Sequence, residues 1–465
     1  MKLFIKKYRF IYVLIISIII LAGCGRSHSN GINSDKNTSA TGGVEKIRVW
    51  TDNAHEKELR LRQIEVFNNT IGKEKGIEIE YTVFGSNYQD VIKAAAKNGE
   101  APELFRPTVT FIMDFVDANY MIPISDLPGG EEMILEYEDS LVTNRHIFNE
   151  NVYTLPYNLN SYKLIVNNEL FDKAGIKEYP KTWEDVREVA KKITETGKGK
   201  FFGWGLGLQS PWTISTYLIR PNGCNVGHVG FNHETMKFEF AAFTPVIETV
   251  KNMIDDGSVF PGFEGLDGDS LRAQFAEGRI GMIPGASFDV SVYNDQFPAN
   301  FDWSVIPVPA FDDGGSPYKE FTEAISLLGI GIAAEDKKEK TMEVFKFFYS
   351  DAYAAEMYEN SLYIPAREQV IELADKKPAK KGFEEFAFIP DMALMLPLPD
   401  IRIPLGGVEY RQIIGNIFAG VYDHQDVRKV LEDLDSHYNN ALEKLPEEIL
   451  KEYQHPQEVI DNFKR

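Results

Sequence analysis

Residues 46 to 105 set the architecture of the chain. Lys46-Ile47-Arg48-Val49-Trp50 alternates apolar and polar side chains, the period of a strand. Leu59, Ile64 and Phe67 then recur at helical spacing, and Gly76 breaks the chain. Ile77–Val83 alternates again, Tyr88–Lys97 reads as a helix stopped by Asn98-Gly99, and Leu104-Phe105 is a third short strand. Strand, helix, strand, helix, strand in so short a span predicts a parallel sheet with covering helices. In such sheets ligands sit at the carboxyl ends of the strands. Here those ends are Trp50-Thr51-Asp52-Asn53, Phe84-Gly85-Ser86-Asn87 and Arg106-Pro107-Thr108.

Further along, Asn151–Pro156 and Ser161–Asn167 read as two strands. Thr182 caps a helix, with Asp185 as the acidic member of a capping box. Trp183, Val186, Ala190 and Ile193 line one face of that helix and Gly197 ends it. Residues 201–232, rich in glycine and aromatics, show no period that assigns them. Thr244 is expected to cap the next helix, with Pro245 in its first position and Ile247, Val250 and Ile254 inward. Ile280–Ile283, residues 301–309 and Ile325–Ile332 are extended, and Lys337–Ser350 is a helix. The remainder is largely helical apart from the proline-rich Pro397–Leu405.

Ahead of this body, Lys2, Lys6, Lys7 and Arg9 precede an apolar run from Phe10 to Ala22, interrupted only by Ser17. A basic start, a short apolar stretch and small residues before a cut site predict a secretory signal over residues 1–23. The run is shorter than the roughly 20 apolar residues of a membrane span. Leu21-Ala22-Gly23-Cys24 resembles the bacterial lipobox, in which the cysteine takes a diacylglycerol and becomes the mature N-terminus. That resemblance implies a lipid anchor at Cys24, on the outer face of the cell membrane. Residues 24–43, mostly Ser, Asn, Gly and Thr, cannot bury a core and are expected to form a flexible tether reaching roughly 25 Å.

Composition removes several classes of function. Hydrophobic residues are 43% and aromatics 12% of the 465, enough for globular cores in two or more domains. A formal charge of −21 argues against nucleic acid, whose phosphates bind Lys and Arg patches. With Cys24 committed to lipid, Cys224 stands alone, so neither a disulfide framework nor a thiolate metal cluster is available. Asp267-Gly268-Asp269 opens like a calcium loop, but the twelve-residue ligand pattern does not continue. His228 and His233 gather no further ligands. No metal, cofactor or catalytic residue is assigned. A tethered glycan-processing hydrolase needs two carboxylates at a set separation. With 70 acidic residues, such pairs carry no information. Gly285-Ala286-Ser287-Phe288-Asp289 lacks the closing glycine of a nucleophile elbow.

Six segments in order resemble the extracellular solute-binding lipoproteins of ATP-driven (ABC) importers, in the branch that mostly takes sugars and oligosaccharides. Phe67 through Ile79 is similar to that family's phenylalanine-ended helix, glycine turn and Ile-x-Ile strand. Gly99-Glu100-Ala101-Pro102-Glu103 resembles its Gly-x-x-Pro-Asp, with Glu103 in place of Asp. Tyr153-Thr154-Leu155-Pro156 resembles its Tyr-x-Leu-Pro, and Asn167 through Gly175 its Asn-Lys-x-Leu-Phe-x-x-Ala-Gly. Pro180-Lys181-Thr182-Trp183-Glu184-Asp185 is similar to Pro-Lys-Thr-Trp-Asp-Glu. Phe275 through Met282 resembles Phe-x-x-Gly-x-Ala-Ala-Met.

The resemblance covers residues 44 to about 365 and implies a two-lobed α/β fold of the periplasmic-binding-protein type. The ligand cleft would lie between the lobes, and the C-terminal part would be mostly helical. It implies a first lobe of 44–157 with 304–355 and a second of 158–303 with 356–465. It also implies capture without bond chemistry, by a monomer that closes on a sugar and delivers it to a membrane permease. A sensor kinase as partner, or a polyamine, metal or phosphate as ligand, would suit the same fold.

Sugars need aromatic faces for their C–H surfaces and planar polar groups for pairs of hydroxyls. Trp50, Asp52 and Arg106 stand at strand ends, and Asn158 and Asn160 follow the expected crossover. Trp204 and Trp212 lie where the family presents stacking aromatics, and Pro211 beside Trp212 suggests a loop end. Phe288 stands where the family has Trp in a Gly-x-x-Trp sequence. Glu323 and Arg367 adjoin stretches that return to the cleft. Trp183 is set aside as core, because helical spacing places it on a buried face.

Overall fold

The computed structural model describes residues 43–465 except Ser86, Thr110, 388–391, Asp423 and His424. The signal, Cys24 and nearly all of the tether lie outside the described residues. Eleven strands build the two main sheets. They are β1 (Glu45–Thr51), β2 (Ile77–Val83), β3 (Leu104–Phe105), β4 (Thr154–Asn160), β5 (Tyr162–Asn167), β6 (Phe202–Trp204), β7 (Ile280–Ala286), β8 (Trp303–Ile306), β9 (Glu320–Ile330), β10 (Ile364–Pro365) and β11 (Met392–Leu394).

The first sheet begins as the sequence predicts. β1 buries Ile47, Val49 and Thr51 at alternate positions and pairs in parallel with β2 and β3. Between the first two strands runs α1 (Lys57–Asn69), with Leu59, Ile64 and Phe67 inward. α2 (Tyr88–Asn98) then ends at Gly99, whose φ of 71° lies in the left-handed region that glycine enters without a Cβ clash. The sheet order is β10-β4-β9-β3-β1-β2, with β11 parallel beside the start of β9. β9 runs antiparallel to both of its central neighbours, and its register against β4 shifts between Ile325 and Ser326 and again before Gly329.

The second sheet has the order β8-β5-β7-β6. It is covered by α3 (Trp183–Gly197), where Thr182 and Asp185 form the expected capping box. α4 (Thr244–Asp255) differs in one detail. Its cap position falls on Phe243, and the Thr244 hydroxyl donates back to the Ala241 carbonyl at 2.6 Å. The stretch without a readable period holds β6 and a helical run from Trp212 whose last part, Ser215–Ile219, is a π-helix. Single π turns of this kind cluster at functional sites.

Each sheet has its own core. Ile47, Leu104, Leu155, Leu328 and Phe345 pack together in the first, joined by Met357 and Val370 from later in the chain. Leu164, Val186, Ile247, Met282 and Ile306 pack together in the second, with Ile414 and Leu431 from the C-terminal helices. The result is a two-lobed α/β fold. Strand β9 serves both lobes: Phe321 lies in the second core, and Leu327 and Leu328 in the first.

Candidate functional site

A cleft of about 390 Å3 opens where the carboxyl ends of β1 and β3 face the π-helical run of the second lobe. Its size falls in the range of small-molecule sites. From the first lobe, Asp52 follows β1 and Arg106 follows β3, and the two pair at 2.8 Å. The parallel pairing of those strands brings the two residues together although 54 positions separate them. From the second lobe come Trp212, Phe288 and Arg272. Arg272 lies on α5 (Gly268–Ala276), with its guanidinium carbon 5.2 Å from the Trp212 ring and 5.3 Å from the Phe288 ring. It is tied below to the fully buried Asp289 at 2.8 Å. Burial pushes the Asp289 carboxyl up, against the lowering effect of Arg272. Two aromatic side chains distant in sequence are thereby held around one cation.

Glu323, on β9, forms the floor. Its Oε1 accepts from Arg145 at 3.1 Å, and its Oε2 accepts from Tyr162 at 2.8 Å and from Arg220 at 2.7 Å. Burial alone would raise this carboxyl; Arg220 and Arg145 overcome that and hold it down to about 2. A side bay of about 70 Å3, lined by Asn53, Asn158 and Asn160, shares His55, Arg106 and Phe288 with the cleft. Asn158 is buried, with its amide donating to Asn160 at 3.3 Å.

Every arginine that lines the cleft meets a carboxylate, although only Asp52 and Glu323 of those acids belong to the lining. Arg106 faces Asp52, Arg145 and Arg220 share Glu323, Arg272 contacts Asp289 and Asp269, and Arg411 faces Glu409. Some hydrogen-bonding atoms are nevertheless left over. Nε of Arg106, Nε of Arg145 and Nε2 of His55 are buried without a partner among the described residues. Burial lowers the His55 pKa, so the ring is neutral at pH 7. Buried polar atoms without partners are costly unless something else meets them.

Of the residues singled out in the sequence, Asp52, Arg106, Asn160, Trp212, Phe288 and Glu323 line the cleft, and Asn158 lines its bay. Three do not. Trp50 packs on Phe84, with ring centroids 4.9 Å apart. Trp204 is 1% exposed and meets Trp183 edge-on inside the second core. Arg367 is held by Asp351 and lies 4.4 Å over the Tyr137 ring of the first lobe. Arg145, Arg220, Arg272 and His55 were not singled out. Their partners come from distant segments, so no local pattern marks them. Among the described residues, no group of three His, Cys, Asp or Glu is placed to hold a metal ion, and no helix is long and apolar enough to cross a membrane. Asp267, the first residue of the calcium-like run, instead caps α5 by accepting from the Ser270 N–H at 2.7 Å.

The chain is similar in sequence or in fold to several known proteins. A protein named as a binding protein from Brucella abortus (strain 2308) is 24% identical over 327 residues, covering 67% of this chain and 72% of its own. A lipoprotein of Streptomyces antibioticus is 25% identical over 289 residues, covering 58% and 59%. The crystal structure of the GacH receptor of Streptomyces glaucescens, solved unliganded and with acarbose, superposes with a TM-score of 0.67. It is 18% identical, and the match covers 86% of this chain and 99% of that one. The profile of bacterial extracellular solute-binding proteins matches residues 64–355, well over half of the sequence, and the chain belongs to that family.

Proposed function

We propose that this protein is the substrate-binding subunit of an ABC importer, capturing a sugar or oligosaccharide between its lobes and delivering it to a membrane permease. One observation carries the ligand class. The cleft sets planar polar side chains, Arg106, Arg220 and Asn160 among them, in one lining with Trp212 and Phe288. A neutral polyol hydrogen-bonds such groups through its hydroxyls and rests its C–H surface on the rings. A polyamine would meet a lining whose charged groups are mostly arginines. The GacH receptor, with the same fold, binds acarbose.

In this reading the lobes divide along their sheets and Trp50, Trp204 and Arg367 hold the fold, while the other candidates face ligand. The signal over residues 1–23 is removed, Cys24 carries the lipid, and the tether keeps a monomeric body close to its permease at the outer face of the membrane. Nothing is cleaved, so ligand is released unchanged.

The test is a thermal-shift screen of residues 44–465, which form one compact unit, against mono- and oligosaccharides, polyamines and phosphate esters. A ligand at a hundred times its Kd is expected to raise Tm by about 3 °C. Trp212→Ala is expected to weaken the hit at least tenfold, about 1.4 kcal/mol. A response confined to amines or phosphates would overturn the ligand class, and a sugar recovered hydrolysed would overturn the absence of catalysis.

A further inference from the structure

Behind the first-lobe wall of the cleft lies a buried polar cluster whose centre does not line the opening. Glu56, at the cap position of α1, is 1% exposed, and Arg60, one turn on, is 0% exposed. The two pair at 3.2 Å. Gln63 accepts from Arg60 at 2.9 Å, and the Tyr81 and Tyr363 hydroxyls both donate to the Glu56 carboxylate. Burial alone would raise that carboxyl; Arg60 and the hydrogen bonds from Tyr363 and Asn53 outweigh it and hold it below its ordinary value. Glu56 is therefore ionised at neutral pH and can only accept.

One neighbour of Glu56 reaches the ligand space. Asn53 lines both the cleft and its bay. Its Nδ2 donates to the Glu56 Oε1 at 3.1 Å and to the Tyr363 hydroxyl at 3.2 Å. Tyr363 has already given its one proton to Glu56, so it too offers Asn53 only an acceptor. Both partners thus demand the amide nitrogen. A flipped amide would set its oxygen against a carboxylate and against a hydroxyl lone pair, which a buried network does not tolerate. The backbone is fixed as well, with the Asn53 N–H donating to the Thr51 hydroxyl at 3.1 Å. With the nitrogen committed, Oδ1 is the polar atom of this side chain that remains for a ligand, and it can only accept.

We propose that Glu56 is a positioning residue for ligand choice. It fixes the Asn53 amide so that the cleft presents an acceptor there, and the bound sugar must bring a hydroxyl that donates to it. A substituent of similar size that cannot donate is rejected at that point. Glu56 itself does not meet the ligand. This rests on the carbohydrate reading above and adds a rule of hydrogen-bond direction to it.

The first measurement needs no sugar. In residues 44–465 labelled on asparagine, the Asn53 side-chain amide is the NMR signal missing from Asn53→Ala. Its hydrogens are expected to exchange with water roughly tenfold more slowly than those of exposed asparagines, and Glu56→Gln is expected to erase that protection. Tyr363→Phe withdraws one of the two acceptors and stands in should Glu56→Gln not fold. The second measurement is calorimetric titration with maltotriose, cellotriose, xylotriose and raffinose, and with analogues of each binder carrying fluorine in place of one hydroxyl at a time. Fluorine fills the place of a hydroxyl but cannot donate. The wild-type protein is expected to lose on the order of tenfold in affinity at the hydroxyl that meets Asn53. Asn53→Ala and Glu56→Gln are expected to lose that discrimination. Unprotected Asn53 hydrogens in the wild-type protein, or fluorine penalties unchanged in both variants, overturn the role of Glu56 and leave the carbohydrate reading intact. Binding by no saccharide overturns that reading, while the exchange rates still decide whether Glu56 orients the amide.

Discussion

Glu323 holds two arginines and a tyrosine on a side chain that is 4% exposed. Breaking a buried pair by removing one partner costs about 3 to 5 kcal/mol, because the other charge is left unpaired. Glu323→Gln leaves Arg145 and Arg220 without their carboxylate, and denaturant unfolding at pH 7 is expected to show a loss of that size. The pH dependence has a definite sign. The carboxyl is held down to about 2, below its unfolded value near 4.3. Its contribution is fully present above about pH 4.3 and disappears as pH falls toward 2. The gap between the wild-type protein and Glu323→Gln should therefore narrow between pH 4.5 and 2.5; a gap independent of pH would show that the carboxylate charge is not what stabilises the site. Asp52 and Arg106 were legible in the sequence because a parallel sheet puts its ligand side at strand ends. Trp50 shares that address, yet its ring turns against Phe84: within β1 it alternates with the buried Val49 and Thr51. Trp204 and Trp212 occupy one glycine-rich stretch, and only the second, next to Pro211, lies at the cleft.

At the scale of elements, the start of α5 acts as a seat for an aromatic ring. Asp267 caps the helix, and a Cβ added to Gly268 would overlap the Trp212 indole. The ring has nowhere to retreat on that side, because Arg272, one turn on, lies against the same indole. Gly268→Ala is favourable for helix propensity but must displace the Trp212 ring from its place in the cleft. Sugar affinity is expected to fall about tenfold while Tm changes by less than about 2 °C. Equal affinity in the alanine variant would mean that the ring's position is not set here. The capping box at Thr182, the glycine stop after α2 and the alternation in β1 and β2 were readable because each is decided by neighbours in sequence. The π-helical run after Trp212 was not. All five of its residues are buried, so no single apolar face recurs along it.

For the whole molecule, the crossings decide how the lobes move. β4 passes through Ser161 into β5, and residues 307–319 carry the chain from β8 back to β9. β9 feeds both cores, and its ladder with β4 is irregular between Ile325 and Gly329. A bulge bends its strand and concentrates twist next to functional sites. Here it lies beside the cleft-lining Ala324, Ile325 and Ser326. A ligand that touches Asp52 and Arg106 on one side and Trp212 and Phe288 on the other gains contacts only when the lobes approach, so its binding energy favours the closed form. In small-angle scattering, saturation with the cognate oligosaccharide is expected to lower the radius of gyration of residues 44–465 toward the roughly 22 Å of a compact chain of that length. Trp212→Ala at the same ligand concentration should shift fewer molecules, because closure follows differential affinity. An unchanged radius at saturation would mean that the ligand enters a rigid cleft, and the bulge in β9 would then serve only to aim side chains.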